Sequence, residues 1–192
     1  MSLKRLLRDA RTCAVCEAAL PFGARPVLQL ASSAKLLIIS QAPGKKVHET
    51  GIAWNDASGD RLRDWLRLDR SAFYDEARVA ILPMAFCYPG AEETGGDKPP
   101  RPECAPLWHA RLLRHLPNVQ LTLLVGQYAQ RYYLHPRPKA SMTETVRAFS
   151  QYGPQFFPLP HPSWRSVIWM RKYPWFEERV IPNLRKVVRT LI

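Results

Sequence analysis

No stretch of this chain stays apolar for the about 20 residues needed to cross a bilayer. Its start, MSLKRLLRDARTC, lacks both a long apolar core and a small-residue cleavage site, so no signal peptide is expected there. Acidic residues are scarce, 16 against 28 Lys plus Arg, and the net charge is +12. That imbalance favours a polyanionic partner, because each phosphate neutralised releases counterions. Cysteine is scarce too, at 4 in 192 residues. A chain of this length buries a core without disulfides, and in the reducing cytoplasm expected here the cysteines read as metal ligands or free thiols. Internal repeats and low-complexity tracts are absent. With 46% hydrophobic and 23% charged residues, a disordered chain is excluded and one domain over residues 1–192 is expected.

What is present alternates between apolar runs and helical patterns. Lys35–Ser40 (KLLIIS) reads as a buried strand that opens into a functional loop, Gln41–Asn55. Ser58–Leu68 sets Leu62, Trp65, Leu66 and Leu68 near one helix face, with Ser58 as a possible N-cap. Val79–Met84 is a second strand, cut short by Pro83. A loop rich in Pro, Gly and Glu, Tyr88–Pro102, precedes a helix over Glu103–Leu116. Leu121–Val125 is a third strand, and Gly126 opens a helix over Gln127–Tyr133. Phe156–Pro160 is a short fourth strand, and Trp175–Ile192 is helical with an interruption or restart at Pro182. Uniformly apolar strands alternating with helices predict a three-layer α/β/α fold around a four-stranded, mainly parallel sheet. Such folds bind ligands at the carboxyl ends of their strands. The candidate loops are therefore Gln41–Asn55, Phe86–Gly90, Gly126–Tyr128 and His161–Trp169.

The side chains in those loops suit a nucleobase. Gln41-Ala42-Pro43-Gly44 makes a tight turn that can bring backbone N–H groups to a ligand. Trp54-Asn55-Asp56 supplies an aromatic plate, an amide and a carboxylate, which a base pulled from its helix would need. Trp54 is equally readable as a core or lid aromatic. His161 can donate to an anionic leaving group, although a lone histidine is more often structural. Trp164 to Lys172 interleaves aromatics with cations, either a DNA-facing surface or an amphipathic helix with inward tryptophans. Cys13-x2-Cys16, Cys87 and Cys104 supply the full ligand number for one four-thiolate site. Their spacing does not choose among an iron–sulfur cluster, zinc and four reduced thiols.

In order and spacing these pieces resemble the uracil-DNA glycosylase superfamily, nearest its thermophile-type iron–sulfur group. That group opens with CxxC. It then has a strand, a Gly-Glu-(Gly/Ala)-Pro-Gly turn, a Thr-Gly-x-Pro-Phe segment and a second cysteine pair across a Pro-rich loop. Here the matching stretches are Ser40-Gln41-Ala42-Pro43-Gly44, Thr50-Gly51-Ile52-Ala53-Trp54 and Cys87 with Cys104. Val125-Gly126 matches a strand-end glycine, and His161-Pro162-Ser163 matches the superfamily's late HPS motif.

The resemblance implies a base-excision DNA-repair hydrolase that cleaves the N-glycosidic bond of uracil or another deaminated base. The alternative is a catalytically altered or inactive relative that only binds nucleic acid. A small-molecule hydrolase acting on nucleosides or nucleotides is a third reading. The resemblance also implies that Gln41, Ala42, Pro43, Gly44, Trp54 and Asn55 bind the base. His161 would stabilise the uracil anion. Asp56 is the preferred carboxylate to face the sugar cation and position water, with His48 a second candidate base or nucleophile. Ser163, Trp164, Arg165, Lys45 and Lys46 would meet the DNA. Cys13, Cys16, Cys87 and Cys104 would hold a structural [4Fe–4S] cluster, with zinc or no metal as the alternatives. The partner would be DNA, bound by a monomer. Departures are visible. Gln41 replaces Glu, Ala42 replaces a water-activating Asp or Asn of other branches, and Pro83 sits where an Asn reads the uracil edge. Lys45, Lys46 and Val47 stand where acidic residues are usual. Asp56-x-Ser58-Gly59-Asp60 is similar to a second thermophile branch, in which a carboxylate of this segment assists catalysis. Gly44 has no side chain to exclude a 5-methyl group, so bases larger than uracil are admissible.

Overall fold

A computed structural model describes residues 1–136 and 138–192. Its sheet has four parallel strands, β1 (Leu36–Ile39), β2 (Val79–Ile81), β3 (Leu121–Val125) and β4 (Phe156–Leu159), in the order β2-β1-β3-β4. β1 is central, and Leu36 pairs with Val79 on one side and Leu121 on the other. Three of the four strands are shorter than the sequence suggests. The second ends at Ile81 and not at Met84 because Pro83 has no N–H to offer the ladder.

Strand alternation builds the layers. Leu36 and Ile38 point to one side, where they join Leu62, Trp65, Phe176 and Leu184. Leu37 and Ile39 point to the other, where they meet Leu6, Trp108 and Leu112. Helices α3 (Ala57–Leu66) and α9 (Ile181–Leu191) cover the first side. Helices α1 (Leu3–Arg11) and α5 (Cys104–Leu113) cover the second. The three-layer α/β/α arrangement follows, and every strand of the sheet is parallel. No helix among the described residues is long and apolar enough to cross a membrane.

Local structure departs from the sequence reading at several points. The segment 41–55 is not loop throughout, because α2 (Lys45–Thr50) lies inside it. Extended Gly44 starts that helix, Gly51 at φ 70° stops it, and Val47 anchors it to the core. The cap of α3 is Asp56 and not Ser58: the Asp56 side chain accepts from the Gly59 amide at 2.8 Å. Helix α5 stops at Leu113, short of Leu116. The segment after His161 is mostly helix, since α8 spans Trp164–Lys172. The tail runs through a π-helical turn, Phe176–Val180, directly into α9, and Pro182, which has no N–H to give the preceding turn, sits just past that irregular turn. Helices α4 (Arg70–Tyr74), α6 (Gln127–Tyr133) and α7 (Met142–Arg147) complete the order, and α6 lies where Gly126 was expected to open it.

Candidate active site

The loops after the strands converge at the carboxyl end of the sheet. There they enclose a cavity of about 450 Å³. Gln41, Ala42, Pro43 and Gly44 line it from the end of β1, Pro83 from β2, and His161, Ser163, Trp164 and Arg165 from beyond β4. Trp54, Asp56 and Arg61 line it from the start of α3 and the segment before it. The volume suits a small organic group, and the polar groups that face it are few and convergent.

Trp54 and His161 are in contact, with ring centroids 5.6 Å apart and planes inclined by 27°. At that separation no third ring fits between the two. Trp54 is buried and sits in the left-handed backbone region at φ 57°, which a bulky residue rarely adopts. Two neighbours hold it there. The buried Arg63 donates to the Trp54 carbonyl oxygen at 3.2 Å and to the Tyr74 hydroxyl at 3.2 Å, and forms an ion pair with Asp60. Gly59 passes so close to the Trp54 carbonyl that any side chain at 59 would overlap it.

His161 is placed by backbone. The Gly126 turn, at φ 87°, runs 3.5 Å from the His161 Cβ measured from where its own Cβ would be. Arg61 donates to the Pro162 carbonyl at 2.7 Å, and the Ser163 amide donates to the His161 carbonyl at 2.8 Å. Burial pushes the His161 imidazole below its ordinary pKa, opposed in part by the charge of Asp56. The ring is therefore neutral at pH 7 and able to donate one N–H to an anion.

The other expected residues are distributed unevenly. Lys45 and Lys46 are exposed on the first turn of α2. Trp164 is 65% exposed at the cavity mouth, with Ile168 also exposed one turn on. Arg165 lies against the Trp164 ring and donates to the Gly95 carbonyl at 3.2 Å, so part of its donor capacity is already used within the fold. Asn55 faces away from the cavity and accepts from Arg70 at 3.2 Å. His48 lies on α2, outside the cavity lining, with Phe22 and Tyr88 beside its ring.

The sequence reading missed Asp97. It comes from the middle of the Pro-rich loop, where no local pattern marks it, yet it lines the cavity. A side-chain carbon at Gly44 would lie 3.4 Å from the Asp97 Oδ2 and 3.8 Å from the Asp56 Oδ2, so both carboxylates flank one point on the cavity wall. Burial and the charge of Asp56 raise the Asp97 pKa, while the Tyr88 hydroxyl acts in the opposite direction. Arg61 was missed as well. It is one more arginine on a helix face until the fold carries Pro162 to it.

The four cysteines also converge. Cys13, Cys16, Cys87 and Cys104 line a second, apolar space of about 20 Å³, with Leu20, Phe86 and Arg101. All four are free thiols. Burial pushes Cys87 up to about 11 and Cys104 up to about 12. Among the described residues no three His, Cys, Asp or Glu side chains are arranged to hold a single metal ion. A cluster spaces its thiolates more widely than one ion does, because each binds a different iron. The donor set, four thiols and apolar walls, suits a cluster.

With this geometry described, comparison with known proteins places the chain. A family model described as Uracil DNA glycosylase superfamily matches residues 29–185, which takes in every strand, the cavity and two of the four cysteines. The chain belongs to the uracil DNA glycosylase superfamily. That membership supports a glycosylase-type role in DNA repair and DNA as the partner.

Proposed function

We propose that this superfamily member excises uracil or another deaminated base from DNA by hydrolysing its N-glycosidic bond. The observation that carries the reading is the Trp54–His161 contact on the wall of a cavity that Gln41–Gly44 and Asp56 also line. The basic surface holds the duplex and the damaged nucleotide swings out. The base lies against Gln41–Gly44 with its leaving edge toward His161. As the C1′–N bond lengthens, the sugar becomes cationic and the base anionic. The carboxylates beside Gly44 face the cation. The neutral His161 donates a hydrogen bond to the anion, which needs no proton transfer in the ground state. Trp164, at the mouth, is placed to occupy the space the nucleotide leaves.

A structural [4Fe–4S] cluster on Cys13, Cys16, Cys87 and Cys104 belongs to the same proposal. It would pin the N-terminal segment to the loop after β2 and take no part in the bond cleavage, which is redox-neutral. Brown colour with visible absorbance, lost on chelation or in Cys104→Ser, supports the cluster. A colourless, zinc-containing protein replaces it with the single-ion site.

A non-catalytic nucleic-acid-binding relative is the second reading. It is favoured by Pro83, which lines the cavity wall where an edge-reading amide is expected. Oligonucleotides carrying uracil, hypoxanthine or xanthine separate the two. Base release that falls roughly 100-fold or more in His161→Ala supports the enzyme. Tight, salt-sensitive binding with no release from any of them supports the binding module.

A further inference from the structure

We infer that Asp97 is the carboxylate that takes the proton from the attacking water, with Asp56 acting beside it as an electrostatic partner and helix cap. This rests on the glycosylase reading above and assigns one step within it. Three observations carry it. Asp97 and Asp56 flank the same point beside Gly44, so both reach the place where a sugar cation and a water would meet. Their oxygens are not equally available. Asp56 commits Oδ1 to the Gly59 amide at 2.8 Å, a backbone donor fixed in the first turn of α3, whereas Asp97 takes its hydrogen bond from a side chain, the Tyr88 hydroxyl. Finally, the loop bearing Asp97 is pinned on both flanks. Arg165 donates to the Gly95 carbonyl at 3.2 Å, the Gln41 side chain donates to the Lys98 carbonyl at 3.1 Å, and the Lys98 amide donates to the Gly90 carbonyl at 2.8 Å. These bonds fix where Asp97 stands on the cavity wall.

The step balances. A water O–H bond breaks, its proton goes to an Asp97 oxygen, and the water oxygen bonds to C1′. The C1′–N bond breaks and its electron pair leaves with the base, as an anion held by His161. The base later takes a proton from solvent, and Asp97 releases its own. Burial and the neighbouring Asp56 charge raise the Asp97 pKa, which strengthens it as a proton acceptor. The groups that face it are Asp56 from the start of α3, Tyr88 from the loop after β2, and Arg61, His161 and Arg165 across the same cavity.

The test is single-turnover base release by the full chain, from acidic to neutral pH, with duplex binding and melting measured on the same preparations. In the wild type, release rises with pH through a pKa above the ordinary carboxylate range. Asp97→Asn is expected to lower release by roughly 100-fold, abolish that rise and leave duplex binding and melting in place. Asp56→Asn, which can still cap α3, is expected to move the rise to lower pH because Asp97 loses its like-charged neighbour. Asp97→Glu keeps an acid at the rim and is expected to keep the rise. Release by Asp97→Asn within about twofold of wild type, with the pH rise intact, overturns the assignment while the glycosylase reading stands. So does an equal loss in Asp97→Glu and Asp97→Asn accompanied by early melting, which marks a structural role. A wild type that releases no base at all overturns the glycosylase reading, and this inference falls with it.

Discussion

Two cavities of this molecule, the one at the strand ends and the one between the cysteines, are made in opposite ways. The larger one, about 450 Å³, is open, polar in part, and shaped by backbone: the turn at Gln41–Gly44, the left-handed Trp54, the close passages of Gly59 and Gly126. The smaller one, about 20 Å³, is almost wholly apolar, and its character comes from four cysteines. One chain segment serves both. Pro83 lines the first, Ala85, Phe86 and Cys87 the second, Gly96 and Asp97 the first again, and Arg101 and Cys104 the second. A site shaped by backbone fails when the backbone is forced to move. A site made of side chains fails one ligand at a time.

Gly59→Ala is the sharpest way to break the first cavity alone. A methyl group there overlaps the Trp54 carbonyl, so loss of about 4 kcal/mol in chemical denaturation is expected, or failure to fold. Unchanged stability would mean that Trp54 does not need its left-handed backbone.

Acid strikes both cavities. Burial depresses His161 on the wall of the first cavity and lowers His109, which sits behind Pro83 and Phe86, to about 4. His109 is held neutral by the fold, with its ring nitrogens on the Pro83 carbonyl at 3.0 Å and the Tyr133 hydroxyl. The unfolded chain binds these protons near pH 6.5 and the folded one resists them, so stability falls as pH drops from about 6.5 to about 4. His109 alone contributes a loss of roughly 3 kcal/mol across that window, measurable as a falling denaturation midpoint. A midpoint independent of pH there would show that neither ring is shut away from solvent protons.

Cys104→Ser tests whether the cavities communicate. Loosening the far end of the shared segment is expected to lower base release by about tenfold with duplex affinity retained, a loss of orientation and not of binding. Full activity in the variant would separate the sulfur site from the chemistry. The smallest effect is expected at Lys45→Ala and Lys46→Ala. Each should weaken duplex binding a few-fold and reduce the slope of log affinity against log salt by about 0.9 if it contacts a phosphate.

The sheet was legible in the sequence because KLLIIS, VAILPM, LTLLV and FFPLP are apolar on both faces, which only a doubly covered parallel strand tolerates. The 41–44 turn and His161 could be found because each directly follows a strand, whereas Trp54 and Asp56, which lie beyond α2, could be found only through the aromatic–amide–carboxylate triplet at 54–56. The short helices α4 and α7 escaped, since elements of a turn or two carry too little periodicity to stand out; α1 does carry one apolar face, with Leu6, Leu7 and Ala10 buried, and could have been read from it. Ser58 was taken for a cap that Asp56 provides, because both residue types cap well and only the backbone at Trp54 decides the boundary. Asn55 and His48 were grouped with the cavity by proximity along the chain. The helix at Lys45–Thr50 turns His48 toward Tyr88, and Arg70 draws Asn55 away. Asp97 and Arg61 could not be read, because their roles arise from contacts between distant segments.

The alternation of residues 83–104 between two cavities limits where this stretch can change length. Between Pro83 and Cys87, or between Asp97 and Cys104, one added residue would slide a wall residue out of one chamber or a sulfur out of the other. The exposed tip at Glu93 and Thr94 lines neither chamber, and the turn around it is closed by the Glu92 amide donating to the Gly96 carbonyl at 2.8 Å and the Gly95 amide donating to the Glu92 carbonyl at 3.0 Å. Tags, labels or added sequence belong at that tip, and nowhere else along the segment.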